Sequence, residues 1–275
     1  MTAAQHVPGW VDLVGAHNVR DLGGLPAAGG TVRRRVLLRG DNLDELTTAD
    51  IDVLREDVGL RGVVDLRAPF EGPQAAEWFP QLGITWLHEP LVDLTALSNT
   101  EALRDQVRGD YSTMYALMLD NAGPGIVRIL AFLVDGEHTP TLVHCAAGKD
   151  RTGITVAVLL ALAGVDRAAI RADYLATGER IDRVRAALAQ RPVYQHLKDR
   201  ALAAGVDAGT GTEDDGTAGG AGTPPKTPFT IDPQAIDAVL DVVEAAEGGV
   251  AGYLTAHGAT DEQISRWQQT IIEPR

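Results

Sequence analysis

The sequence predicts an α/β fold: a central, largely parallel sheet flanked by helices, with a helical C-terminal end. Three observations lead there. Short apolar, β-rich runs alternate with longer segments of helical periodicity, the pattern of strands joined by crossover helices. Gly and Pro punctuate the junctions between them. Finally, 45% of the 275 residues are hydrophobic, ample for one sizeable core. Only 5% are aromatic, so Leu, Val, Ile and Ala must fill that interior.

Taken in order, VLLRGDNL (36–43) reads as a short strand leaving an apolar run. TTADIDVLREDVGL (47–60) follows as a helix. Thr47 and Asp50 have the spacing of a capping box, and Gly59 sits where a C-terminal stop belongs. RGVVDLR (61–67) and ITWLHEPL (84–91) are β-rich runs that end near Pro69 and Pro90. Helical patterns follow around 101–119 and 124–134. TPTLVHC (139–145) is the next strand, and 152–163 a helix closed by Gly164. Two more helices come from DRAAIRADYLA, beginning at Asp166, and the arginine-rich GERIDRVRAALAQ.

Residues 204–228, AGVDAGTGTEDDGTAGGAGTPPKTP, lose all apolar periodicity. Such a composition predicts a flexible insertion, because too little apolar surface can be buried to offset the entropy of ordering. Helical pattern resumes at IDPQAIDAVLDVVEAA, with Pro233 in a favourable first-turn position, and DEQISRWQQTII completes the chain's helical end. The expected organisation is a single domain, 10–275, carrying the insertion 204–228. No internal repeat is visible.

Charge narrows the partners. Asp and Glu number 38 against 24 Lys and Arg, a formal net charge of −14, which disfavours nucleic acid and anionic lipid surfaces. The single cysteine cannot form an intramolecular disulfide. MTAAQHVPGWVDL has neither a basic n-region nor an apolar h-region, so no signal peptide is expected. The longest apolar run, 154–163, is about half of the roughly 20 residues that a membrane span needs, so no integral membrane segment is expected. A cytoplasmic location follows, with signal-independent secretion as its alternative. The histidines lack ligand spacing, and no metal or other cofactor is predicted.

That one cysteine stands in VHCAAGKDRTG (143–153), between an expected buried strand and an expected helix. The N–H groups at a helix start have no intrahelical partners, and the helix dipole adds partial positive charge. An anion fits there. Ala146, Ala147 and Gly148 add little bulk, so the backbone can curl around a tetrahedral oxyanion, and Gly148 can take a positive φ at no cost. The same surroundings favour thiolate at Cys145, with a pKa expected below the free value of about 8.5. Arg151 offers a planar fork for two phosphate oxygens. Gly148-Lys149 is not a nucleotide P-loop, since Val143 and Asp150 stand where that motif needs glycine and Ser or Thr.

HCAAGKDRTG matches the HCxxGxxR[ST]G signature and so resembles the cysteine-dependent protein tyrosine phosphatases. With Lys149-Asp150 inside the loop, it is similar to a bacterial branch typified by a secreted mycobacterial phosphatase. Members of that branch act on phosphotyrosine and, in some cases, on phosphoserine, phosphothreonine and phosphoinositides. HNVRDLGGL (17–25), VVDLRAPFE (63–71) and YLTAHGATDEQISRW (253–267) resemble further elements of the branch. The resemblance implies a tyrosine-phosphatase-like sheet, with Cys145 as nucleophile and a phosphocysteine intermediate. It implies that Arg151 and the backbone amides from Ala146 to Arg151, those of Ala147, Gly148 and Lys149 among them, bind phosphate, with Thr152 and Gly153 as further phosphate-binding residues. Thr152 would assist departure of the thiolate, and His144 would shape its surroundings. The resemblance also implies the loop aspartate, Asp150, as candidate general acid, with Asp93 in EPLVDL as the alternative.

The expected partner is a phosphotyrosine-containing protein or another phosphomonoester, a phosphoinositide among them, with Lys149 the residue to suspect there. A catalytically inactive phospho-ligand-binding module and a rhodanese-like sulfurtransferase are the competing classes. Asn18, Arg20, Asp21 and Arg67 read as braces near the pocket, and the arginines of 167–191 as solvated faces.

Overall fold

The computed structural model describes residues 9–72, 78–91, 110–195 and 229–275. In chain order its strands are β1 (Gly9–Trp10), β2 (Arg20–Asp21), β3 (Pro26–Ala27), β4 (Gly30–Val32), β5 (Leu37–Gly40), β6 (Gly62–Asp65), β7 (Thr85–His88), β8 (Thr141–His144) and β9 (Ile272–Pro274). The helices are α1 (Thr48–Asp52), α2 (Tyr111–Val134), α3 (Asp150–Leu162), α4 (Arg167–Ala176), α5 (Ile181–Ala189), α6 (Pro233–Ala245), α7 (Gly249–Ala256) and α8 (Asp261–Ile271).

The main sheet runs β1-β2-β5-β8-β6-β7. Its β5-β8-β6-β7 part is parallel, and β1 and β2 extend it antiparallel at one edge. Side chains alternate between the two faces of a strand, so the apolar runs feed two cores. Leu37, Val64 and Val143 enter the larger core, built with α2, α3, α4, α6, α7 and α8. Leu38, Val63 and Leu142 enter a smaller one, closed by Leu54, Val58, Phe79 and Ile84. Gly40, His144, Asp65 and His88 lie in register across the sheet, which puts the carboxyl ends of four parallel strands at one edge. In open α/β sheets that edge is where ligands bind. A second, three-stranded sheet, β3-β4-β9, ties the chain's last strand to its N-terminal part.

Local signals predicted much of this. Thr47 and Asp50 form the capping box, and Gly59 ends the following π-helical segment, Val53–Val58, at φ 75°. Gly164 follows α3 with φ 76°, and Pro233 opens α6 behind the Asp232 cap. Two expectations are corrected. α3 begins at Asp150 rather than 152, so Asp150 and Arg151 belong to its first turn. The two helices expected over 101–134 are, from Asp110 onward, the single helix α2 with Pro124 inside it. Proline there removes one backbone donor. Packing carries the helix through: a Cβ at Gly123 would run into the His257 ring, and one at Gly125 would lie 2.9 Å from Leu91. Glycines that read locally as a break are therefore points of close approach. Residues 101–109 and the insertion 204–228 lie outside the described residues.

α2 is long and apolar enough to cross a membrane by length and composition. Tyr115, Met118, Leu119, Ile126, Ile129 and Leu130 instead bury it in the larger core. Trp267 of α8 is fully buried in that core, and its Nε1–H donates to the Leu159 carbonyl at 2.8 Å. Trp267→Ala should cost about 3–5 kcal/mol, from lost burial plus a cavity. Urea unfolding followed by circular dichroism would show it as a lower midpoint.

Candidate active site

Cys145 follows the last residue of β8, and Arg151 is the second residue of α3. The turn of five residues between them is shaped by what its carbonyls do. The Ala146 carbonyl accepts from the Asn42 N–H at 3.0 Å. The Ala147 carbonyl accepts from Asn18 Nδ2 at 3.0 Å, and the Gly148 carbonyl from Arg39 Nη2 at 2.7 Å. The Lys149 carbonyl accepts from the Gly153 N–H inside α3 at 2.8 Å. Among the described residues, none accepts a hydrogen bond from the N–H groups of Ala146, Ala147 or Gly148. A loop in which the carbonyls of Ala146, Ala147 and Gly148 are held from outside while their amides stay unspent is a concave array of donors for an anion.

Gly148 makes the turn possible. Its φ is 65°, and a Cβ there would stand 2.5 Å from the Gly40 carbonyl oxygen and 2.8 Å from Asn18 Nδ2. Only glycine satisfies both conditions.

The donors that hold the loop are themselves anchored. Arg39 Nη1 pairs with Asp173 Oδ2 at 2.6 Å, and Arg20 Nε with Asp173 Oδ1 at 2.8 Å. Arg20 Nη1 also donates to Asn18 Oδ1 at 2.6 Å, which orients the amide that reaches the loop. Asp41 receives the N–H groups of His17 and Asn18, and its burial pushes the carboxyl up to about 6. Burial works against the Asp173 anion too, but the two arginines outweigh it and hold its carboxyl below the usual range. Asn18 and Arg20, read as braces, thus brace the loop itself. Asp21 does something more local, accepting from the N–H groups of Gly23 and Arg35.

A second buried cluster supports the strand ends. Arg67 is bound by Asp65 and Asp44 and also donates to Asn42, whose N–H holds the Ala146 carbonyl. His144 is fully buried; burial lowers its pKa, against the pull of Asp65 at 3.7 Å, so the imidazole is neutral. Its Nδ1 lies 3.3 Å from the Cys145 carbonyl oxygen.

Glu71, in the short 3₁₀ turn Pro69–Glu71, grips the end of Arg151. Its Oε2 takes Nη1 at 2.5 Å and its Oε1 takes Nη2 at 2.9 Å. A third donation, from Nη1 to the Leu66 carbonyl at 3.4 Å, is long. Burial alone would lower the Arg151 pKa, but Glu71 and Cys145 outweigh it and raise it. The guanidinium is charged, and its Nε–H edge has no acceptor among the described residues. Glu71 is fixed in turn by the Ala68 N–H at 2.7 Å and the Tyr194 hydroxyl at 2.8 Å.

The remaining expected site residues fall in different places. Asp150 Oδ1 accepts from the Tyr115 hydroxyl at 2.6 Å and lies 3.2 Å from Lys149 Nζ. Its side chain is 28% exposed, and Oδ2 has no partner among the described residues. Lys149, the residue suspected for phosphoinositides, is fully buried, with Nζ 4.6 Å from the centre of the Tyr111 ring. The Thr152 hydroxyl is buried without a hydrogen-bond partner among the described residues. Gly153 spends its N–H inside α3, so its part is steric; a Cβ there would come within 3.2 Å of the Tyr174 ring. Asp93 lies outside the described residues. No group of three His, Cys, Asp or Glu among the described residues could hold a metal ion.

Sequence reasoning missed Arg39, Glu71, Asp173, Tyr115 and Tyr194. Two left a trace: an arginine inside the strand run VLLRG, and an aspartate on the apolar stripe Ala169, Ile170, Asp173, Tyr174 of α4. A charge on a buried face needs a partner there.

A cysteine, a ring of unspent amides and a positioned arginine at the carboxyl edge of a parallel sheet define a phosphatase, a protein built to hold a phosphoryl group. The comparison with known families agrees: residues 11–273 match the tyrosine phosphatase family, and the chain belongs to it. It is 36% identical over 187 residues to a protein of Cupriavidus necator named as a tyrosine-protein phosphatase, covering 65% of this chain and 67% of that one. It is 27% identical over 290 residues to the triple specificity protein phosphatase PtpB of Mycobacterium tuberculosis, covering 95% of this chain and 98% of the relative. Solved structures are more distant. The catalytic core of the PP-IP phosphatase SIW14 from S. cerevisiae is 13% identical over 70% of this chain and 96% of that one, with a TM-score of 0.41. TpbA of P. aeruginosa is 18% identical over 63% of this chain and 90% of that one, with a TM-score of 0.35.

Glu71→Gln keeps the shape but removes the charge that orients Arg151. It should lower kcat/KM for an aryl phosphate by about 10²-fold, the usual cost of a misplaced catalytic group. Steady-state assays would measure it, and an unchanged rate would mean that Arg151 is oriented without Glu71.

Proposed function

We propose that the chain hydrolyses phosphomonoesters through a phosphocysteine intermediate on Cys145. One observation carries this reading: Cys145 opens a loop in which the carbonyls of Ala146, Ala147 and Gly148 are tied outward and their amides unspent, with Arg151 held beside it. In the first step the Cys145 sulfur attacks phosphorus, and the S–P bond forms as the ester P–O bond breaks. The negative charge on the phosphoryl oxygens is met by the loop amides and the free edge of Arg151. The leaving oxygen takes a proton, and Asp150 is the group assigned to give it through Oδ2. In the second step water attacks phosphorus, its proton returns to Asp150, and the S–P bond breaks. The unpartnered Thr152 hydroxyl is suited to donate to the departing sulfur.

The proposed substrates are phosphotyrosine-containing proteins, with phosphoserine, phosphothreonine and phosphoinositides as further members of the class. The triple specificity named for the mycobacterial relative supports that breadth. The proposed place of action is the cytoplasm, with signal-independent secretion as its alternative.

The protein should hydrolyse p-nitrophenyl phosphate without added metal, be inhibited by vanadate, and lose turnover in Cys145→Ser. Activity that survives that substitution would overturn the mechanism. For the acid, Asp150→Asn and Asp93→Asn should be compared across pH. Loss of the true acid removes the basic limb of the rate profile, most clearly with poor leaving groups. If only Asp93→Asn does so, the assignment to Asp150 fails.

A further inference from the structure

The arginines expected as solvated faces on 167–191 are mostly paired. Arg167 and Arg171 reach Asp237 on α6, Arg185 pairs with Asp182, and Arg191 with Asp44. Arg180 pairs with Asp12 at 3.0 Å, and its guanidinium carbon lies 4.7 Å from the centre of the Trp10 ring. Arg183 differs: among the described residues its guanidinium has no hydrogen-bond or ion-pair partner. Arg34, Arg55 and Arg61 likewise have no ion-pair partner among the described residues, so what sets Arg183 apart is its position.

Arg183 is also not spread over an open helix face. With Arg180 and His17 it lines a cleft of about 470 Å³. The half-buried His17 is pushed below its ordinary pKa by burial first and then by Arg183 and Arg180, with only Asp50 opposing. Burial and both arginines thus disfavour the imidazolium. Asp12 is the one carboxylate among the described residues of the lining, and Arg180 already holds it. The cleft adjoins the catalytic loop. His17 also lines a smaller hollow together with Ala146 and Arg191, and the neighbouring Asn18 donates to the Ala147 carbonyl. Val184, next to Arg183, packs in one cluster with Ala146.

We infer that Arg183, Arg180 and His17 form a second anion subsite, which takes a phosphate monoester group beside the one on the catalytic loop. Two guanidiniums present paired donors to phosphate oxygens, and His17 becomes a third cation once an anion offsets the two arginines. The group is either a second phosphoryl of the same substrate or a separate phosphorylated molecule; the first source rests on the phosphatase reading above.

Two arms test this. In Cys145→Ser protein, the His17 ring is titrated by NMR with and without inorganic phosphate. Phosphate should raise the His17 pKa, and Arg183→Ala in the same background should remove that rise. No response of His17 to phosphate, or an equal response in Arg183→Ala and Arg180→Ala, overturns the subsite. In the Cys145 protein, Arg183→Ala is assayed with an aryl monophosphate and with a doubly phosphorylated peptide or inositol phosphate. If the second group belongs to the substrate, kcat/KM for the doubly phosphorylated compound should fall about tenfold more than for the monophosphate. Equal effects on both, with the His17 response intact, assign the subsite to a separate molecule. Failure of the phosphatase reading would appear instead as absent aryl phosphate turnover, which leaves the NMR arm readable.

Discussion

The site depends on how six peptide units are turned. Every peptide carries both a donor and an acceptor, and a loop that presents its N–H groups to one side must present its carbonyls to the other. In this protein that other side is the interior, where an unpaired carbonyl costs about 1–3 kcal/mol. Arg39, Asn18 and the Asn42 backbone meet those carbonyls, and Gly148 supplies the one backbone conformation that lets the chain reverse between them. Without these external donors the loop's own amides would be drawn into turns, and the concave array would be lost. Arg39 can be buried only because Asp173 accepts it, and Asp173 can be buried only because Arg20 and Arg39 share it. A buried pair of this kind adds little net stability, since desolvation offsets attraction, but breaking it strands a charge. Its value here is geometric.

Arg151 follows the same logic. An arginine free to rotate would lose its orientation to entropy, so Glu71 takes its far end and leaves one edge for an anion. Glu71 is steadied by Tyr194, which comes from beyond α5, while Asp44 ties Arg67 and Arg191 together nearby. The two clusters gather residues from the chain's N-terminal part, from the ends of β6 and β8, and from the helices after α3. They can meet because the parallel strands end in register, at the one edge of the sheet where residues far apart in sequence become neighbours.

Some elements are plain from local chemistry alone. The Thr47–Asp50 capping box spans four residues and needs no tertiary partner, and the apolar runs behind β5, β6 and β8 are strong signals for buried strands. β1 to β4 are not legible, because strands of two or three residues carry no periodicity and exist through their pairing. α2 reads as two helices for a related reason. Gly123, Pro124 and Gly125 argue locally for a break, and only the approach of His257 and Leu91 explains why small residues sit in the middle of a helix. In the site, Cys145, Gly148 and Arg151 are legible from their spacing across one strand–loop–helix junction. Glu71, Arg39 and Asp173 are not, since the bonds that give them meaning join residues 80 and 134 positions apart. Lys149 shows the limit from the other direction: its place in the motif suggests charge at the pocket, and packing buries it under the Tyr111 ring.

The sequence by itself determined the class of chemistry, because a cysteine, small residues, a glycine and an arginine within seven positions at a helix start form an anion site through backbone geometry that is local. The tertiary structure alone decided which groups hold that loop open, which edge of Arg151 is free, and where Lys149 and Asp150 point. Those are matters of burial and of pairing between distant segments. Burial sets the cost of every unpaired charge and carbonyl, and no local pattern of residues states which partner will offset it.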